Sequence, residues 1–222
     1  MRAQLALRRR RLDSGEKSVG WKIAFGAPEA MARLGIEAPL IGFLAEGALL
    51  LSGAVLDLTH YTRPVVEPEI AIHMGASLKG DASRDEAVAA IAGLGPAFEI
   101  ADVTFPPDDV EAILADNIYQ RHIILGAADS SRAGANVGGL RASISRAGQL
   151  VAETNAVEAN TGNLVDLVRH TADTLALFGE TLRAGEIIIA GSVVPPIWIE
   201  DSGEIEFTLD PVGSLAVEFV KG

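Results

Sequence analysis

Residues 62–75 read TRPVVEPEIAIHMG, a β-branched and apolar run into which Glu67 and Glu69 are set two positions apart. The Val and Ile content, bounded by Pro64 and Gly75, predicts a strand. Side chains on a strand repeat with period two. Both glutamates therefore leave one face, roughly 6 to 7 Å apart, while Val66, Pro68, Ile70 and Ile72 leave the other. Two long carboxylates so placed can converge on a point between them, an oxygen-ligand arrangement that suits a hard divalent cation. The same alternation is also the ordinary pattern of a half-solvated sheet. The rest of the face separates the two readings: Ala71 continues it with a small, uncharged residue, leaving a local acidic pair rather than a polar stripe.

A third acid points the same way. Residues 95–103, GPAFEIADV, read as a second apolar strand interrupted by Glu99. A charge in a strand bound for the core costs several kcal/mol unless it is paired or bound to metal. Glu67, Glu69 and Glu99 are therefore expected to share one Mg²⁺ or Mn²⁺, with coordination positions left for water or a bidentate substrate. Lys22 lies in another apolar run, SVGWKIAF (18–25). There it is either a snorkelling residue or a buried amine that offsets the acids. His73 shares the face of the glutamates, but about 13 Å of strand separates it from Glu69, too far to join one ion.

The whole chain fits a small-molecule site. Its 222 residues, 49% hydrophobic, suffice for a substantial core. A net charge of −12, from 30 acidic and 18 basic residues, argues against nucleic acid or an anionic membrane as partner. The absence of cysteine excludes disulfides, thiolate metal sites and cysteine nucleophiles. Arg8 to Arg11 are followed by LDSGEK rather than an apolar stretch, and no run is long enough to cross a membrane, so a soluble cytoplasmic protein is expected. There is no phosphate-binding glycine loop and no Gly-x-Ser-x-Gly elbow.

Outward from the acidic strand, residues 2–12 read as a helix whose arginine run forms a solvated face or an oligomer contact. Pro28 opens a short helix that Gly35 closes. Residues 84–91 form an amphipathic helix, and Asp108 caps one ending near Asp116 and Asn117. Residues 163–178 carry apolar side chains at helical spacing, with Gly179 at the C-terminal cap. A hairpin at Gly148-Gln149 and further strands at 185–192, 196–200, 204–209 and 214–220 make the chain β-rich. Residues 1–50 are expected as a small segment packed on a main catalytic domain, 51–222.

The order GWKIAFG, LGIEAPLIGFL, VEPEIAIHMG, GPAFEIAD, ADN with ILG, and LRAGEIIIAGS resembles the 2-keto-4-pentenoate hydratase and 4-oxalocrotonate decarboxylase group of the fumarylacetoacetate hydrolase superfamily. The resemblance implies an α+β fold, a mixed β-roll with flanking helices, assembled as a homo-oligomer or with a related hydratase or decarboxylase subunit. It implies metal ligation by Glu67, Glu69 and Glu99, catalytic roles for Lys22, Asp102 and Ser192, and substrate binding by Asp116 and Asn117. The implied reaction is addition of water to a small 2-oxo-4-enoic acid in aromatic-compound catabolism. Decarboxylation, acylpyruvate cleavage and non-catalytic binding of an oxo acid are the alternatives. The chain departs from the family at Ile118-Tyr119-Gln120, where small Ala-Ser residues are usual, at Leu40 and Ile41, and at EANTGN (158–163).

Overall fold

The computed structural model describes all 222 residues. The strands are β1 (Ser18–Ala24), β2 (Leu40–Ala45), β3 (Leu49–Leu50), β4 (Ala54–Asp57), β5 (Pro64–Met74), β6 (Ile91–Asp102), β7 (Gln120–Leu125), β8 (Arg141–Arg146), β9 (Gln149–Thr154), β10 (Ile187–Ser192), β11 (Ile197–Trp198), β12 (Gly203–Asp210) and β13 (Gly213–Val220). The helices are α1 (Arg2–Asp13), α2 (Pro28–Leu34), α3 (Arg84–Ala90), α4 (Val110–Ala115) and α5 (Leu164–Ala176). An eight-stranded sheet runs β2-β1-β10-β5-β6-β7-β3, with β11 beside β5; a five-stranded sheet runs β4-β13-β12-β8-β9. Both are mixed, since β1 with β10, β3 with β7 and β4 with β13 are parallel while the other pairs are antiparallel. The expected β-rich α+β architecture is the one observed.

Period-two patterning explains how the sheets meet. Ile205, Phe207 and Leu209 on β12, and Leu215, Val217 and Phe219 on β13, are buried, while Glu204, Glu206 and Glu218 between them are exposed. That apolar face packs over β6 and shares one core of 40 buried residues with Val66, Ile70 and Ile72 of β5. Phe98 and Phe207 meet across the interface at 5.8 Å between ring centroids. Helix α5 adds Leu164, Leu167, Val168 and Leu175 to the same core. The opposite face of the large sheet holds a small apolar cluster, Leu44, Ala71, Ala97, Ile123 and Ile189, and beside it the acids.

Residues 1–50 are not set apart from the large sheet: β1 and β2 are its hydrogen-bonded members, and Trp21, Ile23 and Phe43 belong to the main core. Gly20 allows that integration, because its φ is 148° and a Cβ there would lie 1.9 Å from the Ile187 carbonyl oxygen. Nor is the arginine run wholly solvated. Arg8 is buried, stacks 4.6 Å from the Trp21 ring centroid, and pairs with Glu180 at 3.4 Å and Glu186 at 3.5 Å. The hairpin between β8 and β9 turns one residue earlier than expected, at Ala147 and Gly148, both with positive φ.

Candidate metal centre

Glu67 and Glu99 lie directly opposite each other on antiparallel β5 and β6, and Glu69 follows two residues along β5, paired with Ala97. Like charges in such a cross-strand position repel. Here they are packed together: carboxylate oxygens of Glu67, Glu69 and Glu99 lie within 4.8 Å of one another. Glu69 and Glu99 are fully buried, while Glu67 is half-buried where the cluster meets a cavity.

A single cation answers the three acids. Lys22 is 1% exposed, forms an ion pair with Glu99 Oε1, and donates to the Ile118 carbonyl at 3.1 Å. Its chain lies over Gly42, its β2 partner, where a Cβ would come within 2.7 Å of Lys22 Cγ. The Gly191 N–H donates to Glu69 Oε2 at 2.6 Å. Burial, then the charge of Glu99, raises the Glu67 carboxyl to about 7 against the partial relief of Lys22. Burial also pushes Glu69 well above the usual carboxylate range, with Glu99 and Glu67 adding to the effect. Glu99 is raised by burial and relieved mainly by Lys22.

The donor set fits a hard divalent ion. With all three acids ionised and Lys22 protonated the cluster carries two net negative charges, which one divalent cation neutralises. Glu69 Oε1 and Glu99 Oε2 are buried without any hydrogen-bond partner. Buried anionic oxygens left unpaired are costly, and an all-oxygen set suits Mg²⁺ or Mn²⁺.

Beside the cluster is a cavity of about 460 Å³ whose lining is mainly apolar. Lys22, Glu67 and Ser192 line it. Ser192 Oγ donates to the Val194 carbonyl at 2.6 Å. The other predicted site residues are placed elsewhere. Asp102 lies on the alternate face of β6 from Glu99 and Ala101, and its carboxylate accepts from the Thr62 and Arg63 N–H groups at 2.7–3.1 Å, pinning the approach to β5. Asp116 pairs with Arg121 at 3.5 Å. Asn117 is buried, accepting from Gln4 Nε2 at 3.1 Å and the Phe43 N–H at 2.9 Å while donating to the Phe43 carbonyl at 2.8 Å. None of these three lines the cavity.

The turn after α4 supplies wall residues that sequence reasoning did not assign. Asn117, Ile118 and Tyr119 take φ values of 55°, 58° and 58°, three consecutive left-handed residues without glycine. Each costs roughly 1–2 kcal/mol, and the cost is least natural at β-branched Ile118. The Asn117 side-chain bonds hold the turn, which aims the Ile118 carbonyl at Lys22 and places the Ile118 and Tyr119 side chains on the cavity wall. The only prior signal was the departure from the usual Ala-Ser at these positions.

Residues 25–220 match the family model described as fumarylacetoacetate (FAA) hydrolase C-terminal. The chain is 29% identical over 212 residues, 93% of its length and 80% of the relative's, to a 4-oxalocrotonate decarboxylase of Pseudomonas sp. It is 28% identical over 213 residues, 95% of its length and 79% of the relative's, to a 2-keto-4-pentenoate hydratase of Paraburkholderia xenovorans (strain LB400). It is also similar to the structure of the 4-oxalocrotonate decarboxylase from Pseudomonas putida G7 complexed with magnesium and adipate. That likeness has a TM-score of 0.88 and 27% identity, and covers 98% of this chain and 83% of that one.

Proposed function

The chain belongs to the fumarylacetoacetate hydrolase C-terminal family, and from that premise we propose that it is a divalent-metal-dependent lyase that adds water to a small 2-oxo-4-enoic acid. The observation that carries this reading is the three-carboxylate cluster, with its buried unpartnered oxygens, opening through Glu67 onto a largely apolar cavity. Glu67, Glu69 and Glu99 would hold Mg²⁺ or Mn²⁺. Once bound, the ion supplies Lewis acidity toward the carboxylate and 2-oxo oxygens of the acid.

The protein groups supply the rest. Lys22 Nζ stands at the cavity wall beside the cluster, held by Glu99 and the Ile118 carbonyl, so it can present a proton at one fixed place. The apolar lining excludes bulk water and accepts a hydrocarbon tail. Addition places the water oxygen on C4 and a hydrogen on C5, giving a 4-hydroxy-2-oxo acid. Ser192 lines the same wall and would help orient the substrate. Asp102, Asp116 and Asn117 act by holding the wall rather than by contact.

A second reading within the same enzyme group is decarboxylation of a 2-oxo-enedioic acid, in which CO₂ leaves and a proton takes its place. It is favoured by the likeness to two proteins named 4-oxalocrotonate decarboxylase. Incubation of the protein and Mg²⁺ with 2-hydroxypenta-2,4-dienoate and, separately, with 4-oxalocrotonate distinguishes them. Loss of diene absorbance with a hydroxylated product supports hydration, and release of CO₂ supports decarboxylation. Neither reaction, with no Mg²⁺-dependent acid binding, refutes both. Assembly into a homo-oligomer, or with a related lyase subunit, is part of the proposal. Exposed Leu51, Val55, Leu150 and Val151 provide apolar surface for it.

A further inference from the structure

Of the residues that line the cavity, Tyr119 alone has a buried side-chain polar atom with no hydrogen-bond partner, its Oη. The residue is 3% exposed. Its ring is set against Phe105 at 4.7 Å between centroids, and its carbonyl accepts from the Asp102 N–H at 2.9 Å. The backbone beneath it is the left-handed turn already described, clamped by Asn117. Two separate costs therefore meet at one residue: an unsatisfied buried hydroxyl, worth about 1–3 kcal/mol, and local backbone strain. Packing requires neither. A phenylalanine would fill the same space against Phe105 without an orphaned donor, so the hydroxyl is explained by a partner that arrives with the ligand.

The surroundings restrict what that partner is. Burial, followed by the charges of Asp116 and Asp108, raises the Tyr119 phenol to about 12, so the group is a neutral donor across the physiological range. The same two aspartates oppose a second negative charge beside it. We infer that Tyr119 Oη donates a hydrogen bond to an uncharged oxygen on the tail of the bound acid, a hydroxyl or carbonyl remote from its carboxylate, and so sets the specificity of the site. This rests on the hydration reading above and assigns the contact to the 4-hydroxy-2-oxo acid that hydration produces, whose tail carries the oxygen that the alkene substrate lacks. Asn117 is the positioning residue for this contact, because it fixes the turn without reaching the cavity.

Titration calorimetry at saturating Mg²⁺ tests the inference with two ligands, 4-hydroxy-2-oxopentanoate and 2-oxopentanoate. The wild-type protein is expected to bind the hydroxylated acid about tenfold more tightly, because a polar pocket discriminates against the analogue that leaves it unpaired. Tyr119→Phe should abolish that ratio by weakening the hydroxylated acid alone, with the affinities for 2-oxopentanoate and Mg²⁺ unchanged. The same variant should raise the Tm of the ligand-free protein, since it removes the orphaned donor; a purely structural hydroxyl would lower it. A wild-type ratio within twofold, or a ratio that survives in Tyr119→Phe, overturns the inference while leaving the parent reading intact if both acids bind only with Mg²⁺. Failure of both acids to bind in Mg²⁺ overturns the inference and the parent reading together.

Discussion

Replacing Lys22 by methionine tests the electrostatics of the cluster most directly. The substitution nearly conserves volume, so its effect is the loss of a positive charge from among three buried acids. Removing one partner of a buried ion pair typically costs about 3–5 kcal/mol, since the other charge is left uncompensated. Here Glu69 and Glu67 aggravate the loss, and the upper part of that range is expected. At about 2.1 cal/mol/K of unfolding entropy per residue, a loss of about 4 kcal/mol in a chain of 222 residues lowers Tm by roughly 9 °C. Thermal unfolding in EDTA at pH 8 measures it. Adding Glu99→Gln should recover about 2 kcal/mol or more of the loss, because the double variant no longer buries the unpaired charge. Mg²⁺ affinity should rise in Lys22→Met, as the cation then meets three net charges in place of two, while turnover falls. A Lys22→Met protein within 1 °C of wild type in EDTA would show that Lys22 does not offset the acids and would refute this account.

Other outcomes follow from the same geometry. Glu69→Ala should abolish Mg²⁺ binding measured by calorimetry, since it removes the central donor; wild-type affinity in that variant would remove the basis for the assignment. The carboxyls of the cluster hold protons more tightly folded than unfolded, with Glu67 at about 7 against an ordinary 4.5. The folded state thus carries the extra protons between those values, and metal-free stability falls as pH rises through that window. Because the cation displaces those protons, the gain in Tm on adding Mg²⁺ should be larger at pH 8 than at pH 5; an equal gain at both would contradict it. Gly42→Ala puts a methyl within 2.7–2.9 Å of the Lys22 chain and 3.2 Å of Asn117 Oδ1. It should cost about 1–3 kcal/mol by overpacking and reduce turnover, as urea denaturation and a steady-state assay would show.

Much of the large sheet was legible because its signal is local. β5 and β6 announce themselves by β-branched content and period two, and Glu67, Glu69 and Glu99 by interrupting it on one face. Helix α2 is bounded by residues whose capping role is chemical, Pro28 and Gly35, and α5 shows in its apolar spacing and in Gly179 just beyond its end, where φ is 75°. The integration of β1 with β10 was not legible, because it joins residues more than 160 positions apart through a close approach at Gly20. Asp102 could have been placed correctly: three residues from Glu99 is an odd offset, and alternation alone sends its side chain to the other face. The 117–119 turn could not. No glycine marks its left-handed backbone, and the bonds that hold it come from Gln4 and Phe43, far away in the chain.

The alternation along β5 also guards against misfolding. A one-residue shift of that strand against its neighbours would thrust Glu67 and Glu69 into the layer occupied by Phe98 and Phe207 and turn Val66, Ile70 and Ile72 toward the cavity. Two carboxylates stranded among aromatic rings would make the shifted pairing untenable, whereas an all-valine strand in the same place could slide at little penalty. The residues suited to hold an ion thus also proofread the pairing of the strand that carries them, before any ion is present.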